Sequence, residues 1–163
     1  VDPVMVATSG DKLIDDVARK HLKEEILPLA TIITPNVPEA EEIVNFKILT
    51  EDDVNRAGKF IIDEVGCKSV VIKGGHLTGE AKDYLFLNDG TKKVWTSERF
   101  KTNHTHGTGC TFSAVITAEL AKGKSIIEAV DIGKKFITAA IKYTPELGHG
   151  NGPVNHIAFK GDL

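Results

Sequence analysis

Four short stretches of this chain combine residue types that handle phosphate and divalent cations. One is Gly107-Thr108-Gly109-Cys110, followed by an apolar run, Thr111 to Leu120, that reads as a helix. A small-residue loop ahead of a helix aims several backbone N–H groups at one point. Those donors and the helix dipole suit a phosphate oxygen or a developing anion. Glycine lets the backbone approach a ligand because no Cβ stands in the way. Cys110 then falls in the first turn, where the dipole favours a negative sulfur. The same residues also fit a plain glycine-rich turn with a cysteine packed as a small hydrophobe.

The second stretch is Thr34-Pro35-Asn36-Val37-Pro38-Glu39. It ends an apolar strand and sets an amide and a carboxylate three residues apart, where ligands collect in open α/β sheets. Such a pair can hold a hydrated magnesium ion, which takes few protein ligands. It equally fits a turn residue with a first-turn glutamate facing a helix dipole. The third is Lys73-Gly74-Gly75-His76, again after a strand; the lysine can offset phosphate charge, or can be a solvated lysine beside a turn. The fourth is Asp2, followed by Pro3-Val4-Met5. A carboxylate near a strand end can fix magnesium-bound water. Val4 and Met5 can line a pocket for a flat ring or simply fill the core.

The elements that must position these residues alternate short apolar strands with amphipathic helices, which predicts an α/β fold with a mainly parallel sheet covered by helices. Strands are expected at Val1 to Val6, Ile32-Ile33-Thr34 and Ser69 to Ile72. A turn at Thr8-Ser9-Gly10-Asp11 precedes a helix carrying Leu13, Ile14, Val17, Leu22 and Ile26, which stops near Pro28. Pro38-Glu39-Ala40-Glu41 opens a short helix. Thr50 caps another that runs to Val65, with Asp53 where a strict capping box has Glu or Gln. Asn88-Asp89-Gly90 marks a hairpin between 83–87 and 92–95. Helices are expected from Thr111 to Lys122, ended by Gly123, and from Ser125 to Tyr143; residues 148–153 read as a flexible loop. No linker or repeat interrupts the 163 residues, so one domain is expected. Each of the four stretches follows a strand, and in a parallel sheet those ends share one edge.

Composition excludes several classes. With 41% apolar and 26% charged residues, disorder and fibrous architectures do not fit. A formal net charge of −3 speaks against a nucleic-acid partner. No apolar run is long enough for a membrane span, and no signal peptide is visible. Two cysteines, Cys67 and Cys110, make no disulfide framework and read as free thiols in a reducing cytoplasm; their spacing and that of the histidines predicts no structural zinc.

The stretches Val1 to Gly10, Thr34 to Glu41, Lys73 to His76 and His106-Gly107-Thr108-Gly109-Cys110-Thr111 together resemble the hydroxymethylpyrimidine/phosphomethylpyrimidine kinases of thiamine biosynthesis, a ribokinase-like group. The resemblance extends over essentially the whole chain, to Gly148-His149-Gly150 and Gly152-Pro153-Val154-Asn155-His156. Most ribokinase-like enzymes carry aspartate where this chain has Cys110, so the cysteine points to the pyrimidine-kinase branch. The resemblance implies a three-layer α/β/α fold and magnesium-ATP-dependent phosphorylation of 4-amino-5-hydroxymethyl-2-methylpyrimidine and then of its monophosphate. It implies Cys110 as catalytic base and the N–H groups of Gly107, Thr108, Gly109 and Cys110 as an anion hole. Lys73 would neutralise phosphate charge on the ATP side. Asp2, Asn36 and Glu39 would organise magnesium and its waters, and Val4 would touch the pyrimidine.

The opening Val1-Asp2-Pro3-Val4-Met5-Val6 begins inside an expected strand, and the family carries a glycine-rich portion before it. The expectation is therefore a chain that lacks the N-terminal side of the fold, retains the phosphoryl-transfer part and phosphorylates poorly or not at all alone. Three other readings stay open: a pyridoxal-type vitamin B6 kinase, a catalytically silent nucleotide-binding remnant, and acyl transfer by Cys110 with His104 or His106 as base. A homodimer is the assembly left open.

Overall fold

In the computed structural model, which describes residues 1–5, 13–74 and 81–160, the buried runs Ile32-Ile33 and Val70-Val71-Ile72 lie side by side. They belong to the first of two units, Val1–Glu98 and Arg99–Leu163. Ile33 pairs with Val70 and Asn36 with Lys73, both in parallel. On the other side of residues 32–34, the Val1 amine donates to the Ile32 carbonyl at 2.8 Å, and the Thr34 N–H donates to the Val1 carbonyl at 3.1 Å. One residue bonded to both flanks of its neighbour is the parallel pattern.

The regular sheet continues as β1 (Ser69–Lys73), β2 (Ala81–Leu87) and β3 (Lys92–Ser97), in that order and antiparallel throughout. The expected parallel arrangement therefore holds for the segments up to β1 and gives way between β1 and β2. The short turn after β2 then reverses the chain into β3: Gly90 takes a left-handed φ of 86°, and the Leu87 N–H donates to the Thr91 carbonyl at 2.9 Å. β1 is buried on both faces, while β3 alternates between exposed and half-buried positions.

The expected first strand is shorter than the sequence reading. Val4 N–H donates to the Asp2 carbonyl at 2.9 Å, so the backbone turns at Pro3, whose ring-fixed φ suits such a turn. Val6 and the turn 8–11 lie outside the described residues.

The helical segments of this unit contribute Leu27, Ile43, Val54 and Ile61 to the core, and a loop between two of them adds Ile48, all nearly inaccessible. Burial of each such side chain is worth about 1.5–3 kcal/mol. α1 (Asp16–His21) is capped by Asp15 and runs on as a π turn over Leu22–Ile26, and a 3-10 turn, Leu27–Leu29, holds Pro28. α2 is Val37–Val44 and α3 is Glu51–Phe60, the latter extended by a π turn at Ile61–Val65. Thr50 caps α3 as expected, and Asp53 completes the box in place of Glu or Gln: the shorter aspartate accepts from the Thr50 N–H at 3.0 Å.

In the second unit, α4 (Thr108–Ala121) starts three residues earlier than the sequence reading, inside the glycine loop. α5 is Ile126–Lys142, capped by Ser125 with Glu128. The two helices approach closely at Gly133, where a Cβ would lie 3.1 Å from both Phe112 and Ile116. The tail is not simply a loose loop. His106 pairs in parallel with Pro153, through His106 N–H to the Gly152 carbonyl at 3.0 Å and Val154 N–H to the His106 carbonyl at 3.2 Å.

Candidate functional site

Three of the four stretches meet within the first unit. The Asn36–Lys73 bridge sets the second and third side by side where their segments end. The fourth arrives from residues 1–2: Asp2 Oδ1 accepts from Lys73 Nζ at 3.3 Å and from the Thr34 hydroxyl at 3.2 Å. Both members of the Asp2–Lys73 ion pair are mostly buried, with side chains 16% and 18% exposed. Gly75 and His76, also expected at this edge, lie outside the described residues.

Asn36 and Glu39 lock each other at the start of α2. The Asn36 side-chain oxygen accepts from the Glu39 N–H at 2.8 Å, and Glu39 Oε2 accepts from the Asn36 N–H at 2.8 Å. The two form a capping box, a closer arrangement than the turn residue and dipole-facing glutamate read from the sequence. The pair does more than an exposed cap would, because Glu39 is 3% exposed. Desolvation pushes its carboxyl above the usual range, against the Asn36 N–H and the Lys73 charge; the Asp2 charge adds to the rise. Asp2, Lys73 and Glu39 form one electrostatic unit.

The donors gathered here are two carboxylates and an amide, all oxygen ligands, with a lysine beside them. That set fits magnesium, which keeps most of its waters and takes one or two carboxylates together with substrate phosphates. Among the described residues no group of three or more His, Cys, Asp or Glu forms a fuller cage. Val4 is 43% exposed, whereas Met5 is core at 1%. Of the two residues expected at a flat-ring pocket, Val4 is the accessible one.

The second unit carries the glycine loop. Gly107 caps α4 with a left-handed φ of 85°, a conformation that glycine adopts without penalty. Thr108 N–H is turned inward to the Thr105 carbonyl at 3.2 Å, and Thr111 N–H closes the first helical bond to the Gly107 carbonyl at 2.9 Å. Among the described residues, the N–H groups of Gly107, Gly109 and Cys110 have no acceptor. The donor set for an anion is therefore smaller than the four amides expected, because Thr108 is occupied by the loop itself. Cys110 is free and exposed; Cys67, also free, is buried, and desolvation pushes its thiol up to about 11.

Neither histidine expected as a partner for Cys110 is hydrogen-bonded to it. His104 instead packs on Gly152, where a Cβ would run into its ring, and its buried Nδ1 has no partner among the described residues. Two further residues of this unit, Thr111 and His156, have no role in the sequence reading, yet their side chains are hydrogen-bonded at 2.9 Å. In the first unit the same holds for Thr34, which bonds Asp2. Thr34 and Thr111 each stand at the end of a motif, and that position is the only local signal they give.

The Phosphomethylpyrimidine kinase family matches residues 1–155. A hydroxymethylpyrimidine/phosphomethylpyrimidine kinase of Staphylococcus aureus (strain MSSA476) is 57% identical over 161 residues, which make up 98% of this chain and 58% of that protein. The chain thus spans about three-fifths of the length of the curated relatives it matches. Among solved structures, phosphomethylpyrimidine kinase from Clostridium difficile 630 superposes with a TM-score of 0.74 at 47% identity, over 86% of this chain and 56% of that one. An ADP complex of Bacillus subtilis pyridoxal kinase gives 0.84 at 42% identity, over 96% and 58%. These neighbours are ribokinase-like kinases, and the α/β fold described above is theirs. Among the described residues no helix is long and apolar enough to cross a membrane.

Proposed function

The chain belongs to the phosphomethylpyrimidine kinase family, and on that premise we propose that it is the phosphoryl-transfer part of an ATP-dependent kinase for 4-amino-5-hydroxymethyl-2-methylpyrimidine and its monophosphate, precursors of thiamine. The observation that carries this is the start of α4, where three backbone donors without acceptors adjoin the exposed Cys110. In this reading Cys110 takes the proton of the substrate hydroxyl as its oxygen attacks the terminal phosphorus of ATP. The bond from that phosphorus to the bridging oxygen breaks, and ADP leaves. The amides of Gly107, Gly109 and Cys110 stabilise the charge on the phosphoryl oxygens, and phosphoryl transfer depends on such stabilisation more than on covalent help from the protein. Lys73 opposes further phosphate charge, and Val4 meets the pyrimidine. Asp2, Asn36 and Glu39 would hold magnesium, which neutralises phosphate charge when bound.

Residues 1–163 act in this reading as a single domain in the cytoplasm, with small-molecule partners and a homodimer as the assembly to test. Because the chain spans 58% of its Staphylococcus aureus relative, we expect it to be impaired alone. The test is a coupled ADP-release assay on the 163-residue chain, and on that chain fused behind the N-terminal portion of the relative. ADP release by the fusion with the pyrimidine alcohol, abolished in Cys110→Ala, is expected. Full activity in Cys110→Ala overturns the base assignment, and turnover by the chain alone overturns the impairment. Pyridoxal runs in parallel, since the Bacillus subtilis neighbour is a pyridoxal kinase; faster turnover of pyridoxal makes that the correct substrate.

A further inference from the structure

Thr111 is buried in the first turn of α4, and its hydroxyl lies 2.9 Å from Nε2 of His156. The tail carrying His156 is fixed on two sides. The bridge between His106 and Pro153 ties it to the segment that leads into the glycine loop. Asn155 ties it to α5: its N–H donates to the Ala140 carbonyl at 2.9 Å and its side-chain amide to the Tyr143 carbonyl at 2.7 Å. These are carbonyls at a helix end that have no helical donor of their own or share one, so the tail acts as their cap. Val154, between the two ties, is 3% exposed. His156 thus follows directly on a residue clamped to a helix.

On the loop side, Thr111 is the residue that closes on Gly107. Its N–H bonds the Gly107 carbonyl, and its hydroxyl lies 3.9 Å from where a Cβ on Gly107 would stand. The loop's own bonds hold its entry, through the Thr108 N–H and hydroxyl to the Thr105 carbonyl at 3.2 and 2.7 Å, and leave the amides of Gly107, Gly109 and Cys110 without acceptors among the described residues. One hydroxyl, held from the tail, stands beside the residue that sets their orientation.

We propose that His156 is a positioning residue, which through Thr111 holds the Gly107–Cys110 turn in the orientation that aims its amides at an anion. The proposal deepens the phosphotransfer reading and rests on it for its catalytic consequence; the coupling of tail to loop does not depend on it. Orientation is what such a loop supplies, and a misplacement of about 1 Å costs on the order of a hundredfold in rate.

The test measures alkylation of Cys110 by iodoacetamide on the 163-residue chain, with buried Cys67 as the internal reporter of unfolding. Thr111→Val and His156→Ala are each expected to change the Cys110 rate by at least about threefold in the same direction. The double variant should change it no further, as for two residues acting through one contact. Thr111→Ser, which keeps the hydroxyl, should restore the parent rate. Single variants at the parent rate, or effects that multiply in the double, overturn the proposal. Should His156→Ala expose Cys67, the Thr111→Val and Thr111→Ser pair decides by the same criterion. In the fused protein both substitutions should lower kcat about tenfold or more with the KM for ATP nearly unchanged; an unchanged kcat overturns the catalytic consequence. A fusion that releases no ADP while the alkylation coupling holds refutes the phosphotransfer reading and leaves the tail-to-loop coupling standing.

Discussion

Replacing Glu39 by Gln separates two roles that coincide in one carboxylate. Glu39 caps α2 through Oε2, and it sits 3% exposed beside Asp2 and Lys73. Glutamine keeps an oxygen for the Asn36 N–H and removes the charge. The bond to a charged acceptor is worth about 1.5–3 kcal/mol and to a neutral one about 0.5–1.5 kcal/mol, so roughly 1 kcal/mol is lost. Relief of carboxylate desolvation acts the other way. We predict that Glu39→Gln lies within about 1 kcal/mol of the parent at pH 7, whereas Glu39→Ala costs about 1–3 kcal/mol by stripping a half-buried N–H of its acceptor. For a chain of this size that puts the melting temperature of Glu39→Ala roughly 2–12 °C below the parent's. The pH dependence has a definite sign. The folded carboxyl is raised above its unfolded value of 4.5, so the folded state binds more protons in the interval between the two, and stability falls as pH rises through it. Glu39→Gln should lose that slope and gain on the parent as pH increases. Urea titration of the chain across acid to neutral pH measures this, and ADP release by the fused protein measures the second role, with a loss of about a hundredfold expected for Glu39→Gln if the carboxylate organises the cation and phosphates. A Gln variant as unstable as Ala would refute the capping argument, and a Gln variant with full activity would reduce Glu39 to a cap.

Lys73→Met removes the cation that pairs Asp2 at 3.3 Å; phosphotransfer in the fused protein should fall by about a hundredfold or more, and retention of the rate would remove Lys73 from the phosphate site. Gly107→Ala meets nothing closer than Thr111 Oγ1 at 3.9 Å, so its cost is the left-handed backbone alone, about 1–2 kcal/mol in a chemical denaturation curve. Gly133→Ala, by contrast, drives a Cβ to 3.1 Å from Phe112 and Ile116, an overpacking cost of about 1–3 kcal/mol that is offset by about 1 kcal/mol from alanine in the interior of α5, so a net loss of up to about 2 kcal/mol is expected in the same measurement; a gain equal to the full helix propensity would contradict the close helix approach. Cys67, raised from 9.0 to about 11 by burial, binds its proton more tightly folded than unfolded. Stability should therefore decline as pH rises from 9 to about 11, and Cys67→Ala should flatten that decline in thermal melts, whatever its offset.

What the sequence determined by itself lies within a few residues along the chain. The hairpin at 88–90, the caps at Thr50 and Ser125, the start of α2 at Asn36 and the glycine turn before α4 are all set by contacts between near neighbours, and residue type and spacing report those contacts directly. Even there the sequence left Asn36 and Glu39 between a turn with a dipole-facing glutamate and a cation site; the structure makes a capping box and buries the carboxylate beside a lysine. Tertiary structure alone decided the pairings across long separations. Lys73 meets Asp2 over 71 residues, and Thr111 meets His156 over 45. Such contacts follow from which segments lie adjacent in the sheet and where a tail is clamped, and no short pattern encodes either. The glycine loop shows that a local contact can also escape residue type and spacing. Its residue types announce four amides for an anion, but only the fold turns Thr108 inward and leaves Gly107, Gly109 and Cys110 with their N–H groups unclaimed among the described residues.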